Sequence, residues 1–224
     1  TWKLEVVRDM VDEDATPVAF LGITETWWRC YMTEAQLQIP GYNLARCDRQ
    51  GRIGGGCALY IHDSMAISDQ MEYSDRDSNL TAVYIGSKHM VTAVVYRVGS
   101  NVEGFHRMMH GLQGFVDFHS QETTVPDIWL AGDFNLPLLK WKGGVPEFVD
   151  QPLYNTLRDF MDTNLLTQMV SSPTRGENVL DLVFTNRPDY VLAVNCDDLG
   201  ISDHSMVTCT LAFNCTEKVE RDLM

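Results

Sequence analysis

The sequence predicts a layered α/β sandwich, two packed sheets with helices on their outer faces. Three observations point there. Short apolar runs such as VAFLGI, CALYIHD, MVTAVVY, IWLAGD, VLDLVF and MVTCTLAF outnumber the helical stretches and are mostly joined by tight connections. MVTAVVY hardly alternates between apolar and polar residues, as expected of a strand covered on both faces. No Pro/Ser linker, low-complexity segment or internal repeat divides the 224 residues, so one domain over 1–224 is expected.

The elements follow in chain order. Leu4, Val7 and Val11 have helical spacing, residues 14–17 break it, and PVAFLGITE is a buried strand that ends at Glu25. A polar connection containing TEAQLQIPGY and an arginine-bearing loop, ARCDRQGRIGGG, lead into the strand CALYIHD. Strands are expected over 79–85 and 89–97. An amphipathic helix is expected over 103–119, with apolar residues at 105, 108, 109, 112, 115 and 116. After the strand PDIWLAGD come a loop with Pro137 and Pro146, a helix over 153–164, the loop SSPTRGEN and three final strands, VLDLVFTN, VLAVNC and MVTCTLAF.

Composition excludes several classes. The apolar runs are too short to span a bilayer, so no membrane partner is expected. Six cysteines show neither a C-x-x-C pair nor zinc-like Cys/His spacing, which favours free thiols in a reducing compartment. Ser202 stands outside any G-x-S-x-G elbow, and Gly54 to Gly56 lack a following Lys-Ser/Thr, so neither a serine hydrolase nor a phosphate-cradling P-loop is indicated. The net charge of -14 opposes broad attraction to nucleic acid, although a metal-dependent hydrolase must itself gather carboxylates around a cation.

Acidic and polar residues recur at strand ends: Glu25 after FLGIT, Asp133 and Asn135 in GDFN, and Asp203 and His204 before MVTCTL. Each alone is also what an ordinary turn looks like. Asp181 differs, because it lies between leucines in an apolar strand. A carboxylate there needs a partner, and His204 is the most economical one. Together these residue types suit metal-assisted phosphoryl chemistry. Glu25 and Asp203 are hard oxygen ligands for Mg²⁺, and His204, oriented by Asp181, handles charge on the phosphate. Asp133 is placed to activate water, and Asn135 to hydrogen-bond a phosphate oxygen.

ITETW, GGGCALYI, VVYR, WLAGDFN, SSPTRGENVLDLVFTN and ISDHSMV, in this order and spacing, resemble the endonuclease domains of non-LTR (LINE-type) retrotransposons, within the exonuclease-endonuclease-phosphatase superfamily. The resemblance runs from about residue 18 to 211 and implies a DNase I-like, four-layer αββα sandwich of two mixed sheets with outer helices. It implies metal ligation by Glu25 and Asp203, and catalytic roles for Tyr96, Asp133, Asn135, Asp181 and His204. Ser202, Arg97, Arg175 and Arg52 become substrate contacts. The implied cofactor is Mg²⁺, or Mn²⁺, and the implied partner is double-stranded DNA. The implied reaction leaves a 3′-hydroxyl that primes reverse transcription, on chromosomal DNA in the nucleus, by a domain belonging to a reverse-transcriptase polyprotein.

The chain departs from the family pattern in three ways. It starts at what resembles the first helix, so it is expected to be N-terminally truncated and to lack the first strand. It has Val98 where proline is usual, and it is acidic. The departure at the start motivates a second expectation, a decayed domain that at most binds DNA or a partner. SSPTRGEN is expected to probe the minor groove by shape.

Overall fold

The computed structural model describes residues 2–13, 18–51, 53–122, 124–142, 145–147 and 151–212. Helix α1 (Trp2–Glu13) precedes β1 (Phe20–Thr24), a short α2 (Glu34–Leu37), β2 (Tyr42–Cys47), β3 (Cys57–His62), β4 (Asp69–Ser74), β5 (Ser78–Ile85) and β6 (Met90–Arg97). Then come α3 (Val102–His119), β7 (Asp127–Asp133), a small hairpin of β8 (Lys140–Lys142) and β9 (Val145–Glu147), and α4 (Pro152–Thr163). The chain closes with β10 (Thr167–Gln168), β11 (Asp181–Thr185), β12 (Val191–Asp197) and β13 (Met206–Leu211).

Three apolar layers bind four structural ones. The six-stranded sheet, in the order β10-β11-β7-β6-β5-β4, turns Leu80, Val95, Leu130 and Phe184 toward Phe105, Met108 and Leu112 of α3 and Leu157 of α4. Its other face sets Val83, Val94 and Trp129 against Leu59 and Ile61 of the three-stranded sheet β1-β3-β2. The outer face of that smaller sheet packs Tyr60 with Leu4 of α1, Leu37 of α2 and Trp28. Helix, sheet, sheet, helix is thus the order of layers. β6 is buried at all eight positions, as its lack of alternation predicts, because one face meets helices and the other meets a sheet.

Two local expectations are corrected, and one strand is added. β2 takes up Ala45 to Cys47, which the arginines had marked as loop, because Ala45 and Cys47 point inward on either side of Arg46. β4 is an edge strand with only Met71 and Tyr73 turned toward the core, too weak an alternation to stand out in sequence. The loop after β7 contains the β8–β9 hairpin.

Register decides what the fold can do. β6 and β7 run parallel with Tyr96 opposite Asp133, and β11 runs antiparallel to β7 with Asp181 opposite Asp133. Asn79 of β5 lies opposite Tyr96. Cross-strand neighbours share a face, so Asn79, Tyr96, Asp133 and Asp181 form one row at the end of the sheet that faces the second sheet.

Gly132 makes this row possible. Its φ of +134° is a region open to glycine, and a Cβ there would stand 1.9 Å from the Val95 carbonyl oxygen. Gly132→Ala is therefore expected to cost more than about 3 kcal/mol in urea unfolding. A loss under about 1 kcal/mol, the ordinary surface scale, would show that the two strands can part without penalty.

Candidate active site

Asp133 is 4% exposed, and its Oδ1 accepts the Asn135 N–H at 2.9 Å, closing a turn in which Asn135 takes a φ of +48°. Arg97 locks that turn. Its Nε donates to the Phe134 carbonyl at 2.8 Å, and its Nη2 donates to the Asn135 carbonyl at 2.8 Å. Its Nη1 donates to the Gly99 carbonyl at 2.5 Å. Arg97 is 3% exposed, so the phosphate contact expected of it is corrected: its guanidinium is buried and occupied by backbone carbonyls. Burial also pulls its pKa down.

Asp181 opens β11, and its Oδ2 lies 2.7 Å from His204 Nδ1. Orienting the imidazole through Nδ1 leaves Nε2 to face a substrate. This bond raises the His204 pKa, against the opposing effect of burial. Donor atoms of Asp133, Asp181 and His204 all lie within 4.8 Å of one another, a group able to hold a metal ion. Burial, and next the Asp181 carboxylate, push Asp133 up to about 7.

Glu25 stands just past β1 with a φ of +52°, and its Oε1 accepts the Tyr96 hydroxyl at 2.7 Å. Burial, and next that bond, raise the Tyr96 pKa strongly. The phenol therefore stays protonated as a donor. Glu25 and Asp133 also repel one another enough to add to the rise at Asp133. Three carboxylates and one imidazole thus converge on one corner, and the donor set of hard oxygens fits a divalent cation.

Asp203 is outside the close group. Its carboxylate pairs with Arg175 Nη2 at 2.5 Å on an exposed surface. Burial works against ionisation, but Arg175 more than offsets it and the pKa is lowered. Arg175, Ser202, Asp203 and His204 line one cleft of about 150 Å³, and Ser202 Oγ accepts the His204 N–H at 3.2 Å. Arg52 lies outside the described residues.

One supporting residue escapes the sequence reading, and another reads there only as a surface contact. Thr174, 1% exposed, accepts the Leu180 and Asp181 N–H groups on its Oγ1 at 3.0 and 3.1 Å. Its carbonyl takes the Ser205 N–H at 2.8 Å. It joins SSPTRGEN, the start of β11 and the loop of His204. Arg49, 9% exposed, puts its guanidinium 5.7 Å from the centre of the Tyr96 ring. In the sequence it reads, with Arg46 and Arg52, as a candidate contact to a nucleic-acid backbone, and its burial against Tyr96 is what the fold adds.

A sequence model of the family described as endonuclease-reverse transcriptase matches residues 90–208, which carry every one of these residues except Glu25, Arg49 and Arg52. The chain belongs to that family. Solved structures agree on the fold of this chain. The endonuclease domain of TRAS1, a telomere-specific non-LTR retrotransposon, superposes with a TM-score of 0.59 at 12% identity, covering 95% of this chain and 92% of its own. The 3′-5′ exonuclease NExo from Neisseria meningitidis gives 0.68 at 14%, over 94% and 95%. The AP endonuclease LMAP from Leishmania major gives 0.60 at 13%, over 92% and 81%. No curated protein sequence matches the chain. The family's DNase I-like α/β architecture is therefore the architecture of this domain.

The raised Asp133 makes a prediction about stability. In the unfolded chain an Asp titrates near 4, and in the fold this one titrates at about 7. Between those values the folded state keeps a proton that the unfolded chain has lost, so stability falls as pH rises through this window. His204 acts in the same sense: its bond to Asp181 stabilises fully below about 6.5, and the gain is lost as pH rises through its raised folded value. Asp133→Asn keeps an oxygen for the Asn135 N–H and removes the ionisation cost. Without divalent ions it should unfold like the wild type at pH 4 and be more stable at pH 8, by an amount on the order of a few kcal/mol. Equal stability at both values would mean that Asp133 ionises freely in the fold.

Proposed function

We propose that the domain is a Mg²⁺- or Mn²⁺-dependent DNA endonuclease that nicks double-stranded target DNA and leaves a 3′-hydroxyl for reverse transcription. One observation carries this reading: Asp133 is held between the Asp181–His204 pair and the Glu25–Tyr96 pair, so a base, an oriented imidazole and a protonated donor meet in one corner of clustered carboxylates. Support also comes from membership of the endonuclease-reverse transcriptase family.

Glu25 is the carboxylate assigned to holding the ion, with Asp203 joining it on release from Arg175. When bound, the ion supplies positive charge to the phosphate and lowers the carboxyl pKa values around it. The rest falls to the side chains. Asp133, ionised, takes a proton from the attacking water, and Asn135 beside it orients a phosphate oxygen. Tyr96, whose hydroxyl donates to Glu25 in the empty site, turns that one proton to the phosphate when Glu25 holds the ion. His204, kept basic and oriented by Asp181, donates from Nε2 to the phosphoryl oxygens as charge develops. Water attacks phosphorus, the P–O3′ bond breaks, and the departing 3′-oxygen gains a proton. Ser202 and Arg175 in the adjoining cleft contact the DNA backbone. On this reading the domain works on chromosomal DNA in the nucleus, within a polyprotein that includes a reverse transcriptase.

Supercoiled plasmid tests the claim. With Mg²⁺ the wild type should yield nicked circles, and Asp133→Asn and His204→Ala should each lower the rate about 10²–10⁴-fold. A DNA polymerase should extend the nicks without prior phosphatase treatment. Nicking by the wild type no faster than by a variant carrying both substitutions, or nicks that need a phosphatase first, would overturn the reading.

A further inference from the structure

The two adjacent tryptophans behave oppositely. Trp28 is 6% exposed and meets Tyr60 edge-on in the core, whereas Trp27 is 57% exposed. An exposed aromatic is unremarkable by itself. The support beneath this one is not. Trp27 holds a φ of +57°, which is rare for a bulky residue, and its N–H donates to the Gly55 carbonyl at 2.9 Å while the Thr26 N–H donates to that of Gly56. The indole lies over Gly54, where a Cβ would stand 3.5 Å from ring atom Cε2. Gly55 is in turn filled against by Arg49, whose Nη1 would come within 2.7 Å of a Cβ there. The triple glycine is therefore a platform on which the indole and the guanidinium rest.

Place adds to support. Five described non-glycine residues have positive φ, and three of them, Glu25, Trp27 and Asn135, are at or beside the candidate active site. Backbone strain gathers where a fold holds functional groups against their preference. Two further exposed apolar side chains belong to the same pair of tied loops: Tyr31, 77% exposed, and Ile53, 78% exposed and next to Gly54. An indole two residues from the glutamate of the site, braced and yet uncovered, suits a flat apolar surface that reaches the site together with a phosphate. The faces of nucleobases and deoxyriboses have that character.

We propose that Trp27 is a DNA-stacking residue, its indole packing on a base or deoxyribose that flanks the phosphate at the Glu25–Asp133 corner. It sets where along the duplex the phosphate sits, and the glycine platform keeps it from folding away. The proposal rests on the nuclease reading above.

The test uses the whole chain and a fluorescein-labelled DNA duplex, with chelator present so that bound DNA stays uncut. Trp27→Ala should bind about tenfold more weakly than the wild type, within the range for losing one base–aromatic stack, while Trp27→Phe stays within about threefold. Adding unlabelled duplex should quench tryptophan emission in the wild type, and most of that quench should vanish in Trp27→Phe. On plasmid, Trp27→Ala should shift nick positions. If the wild type binds and nicks DNA but Trp27→Ala binds equally well, or the quench persists in Trp27→Phe, the stacking role is wrong and the nuclease reading stands. If the wild type neither binds DNA nor nicks plasmid with Mg²⁺, the nuclease reading itself fails.

Discussion

The pairing of β7 with its two neighbours governs this molecule. Once β6 runs parallel to β7 and β11 antiparallel, Tyr96, Asp133 and Asp181 must lie in a row, because the register offers them no other place. Two carboxylates on adjacent strands in a half-buried corner repel. The fold answers with one imidazole on Asp181 and leaves Asp133 to carry the imbalance, held up at about 7. A site with too many acids is unfavourable for an empty fold and favourable for one that receives a cation and a phosphate.

Keeping such a corner in shape takes rigid parts that do no chemistry. Arg97 spends its whole guanidinium on three carbonyls of the GDFN turn and its surroundings. Thr174 ties β11 to the loop of His204, and Gly132 lets the backbones of β6 and β7 approach. The positive φ of Asn135 persists because Arg97 and Asp133 over-determine its turn.

Sequence reading reaches those features that leave a local mark. Helix α3 was legible from its apolar spacing, β6 from its unbroken apolar run, and the Asp181–His204 bond from the rule that a carboxylate among leucines needs a partner. What escaped depends on three-dimensional neighbours. Arg97 reads as a free cation in VVYR, and only burial shows it to be a clamp. Thr174 is an ordinary loop residue until its hydroxyl is seen to accept two strand amides. Trp27 and Trp28 are indistinguishable as letters, and the fold alone sends one inward and one outward. β4 was hidden by its exposure at the sheet edge, where polar residues replace the apolar alternation. The partnership of Asp203 with Arg175, 28 positions earlier in the chain, had no sequence signal at all.

If this row of carboxylates is built to be completed by a cation, binding of the ion must expel protons from it. Calorimetric titration of Mn²⁺ at pH 6.5 in two buffers of different ionisation enthalpy reads the number of protons displaced. With Asp133 held up at about 7, one ion should bind and expel a substantial fraction of a proton, and Asp133→Asn should bind with much less release. Absence of binding, or binding with the same release in wild type and Asp133→Asn, would contradict the account.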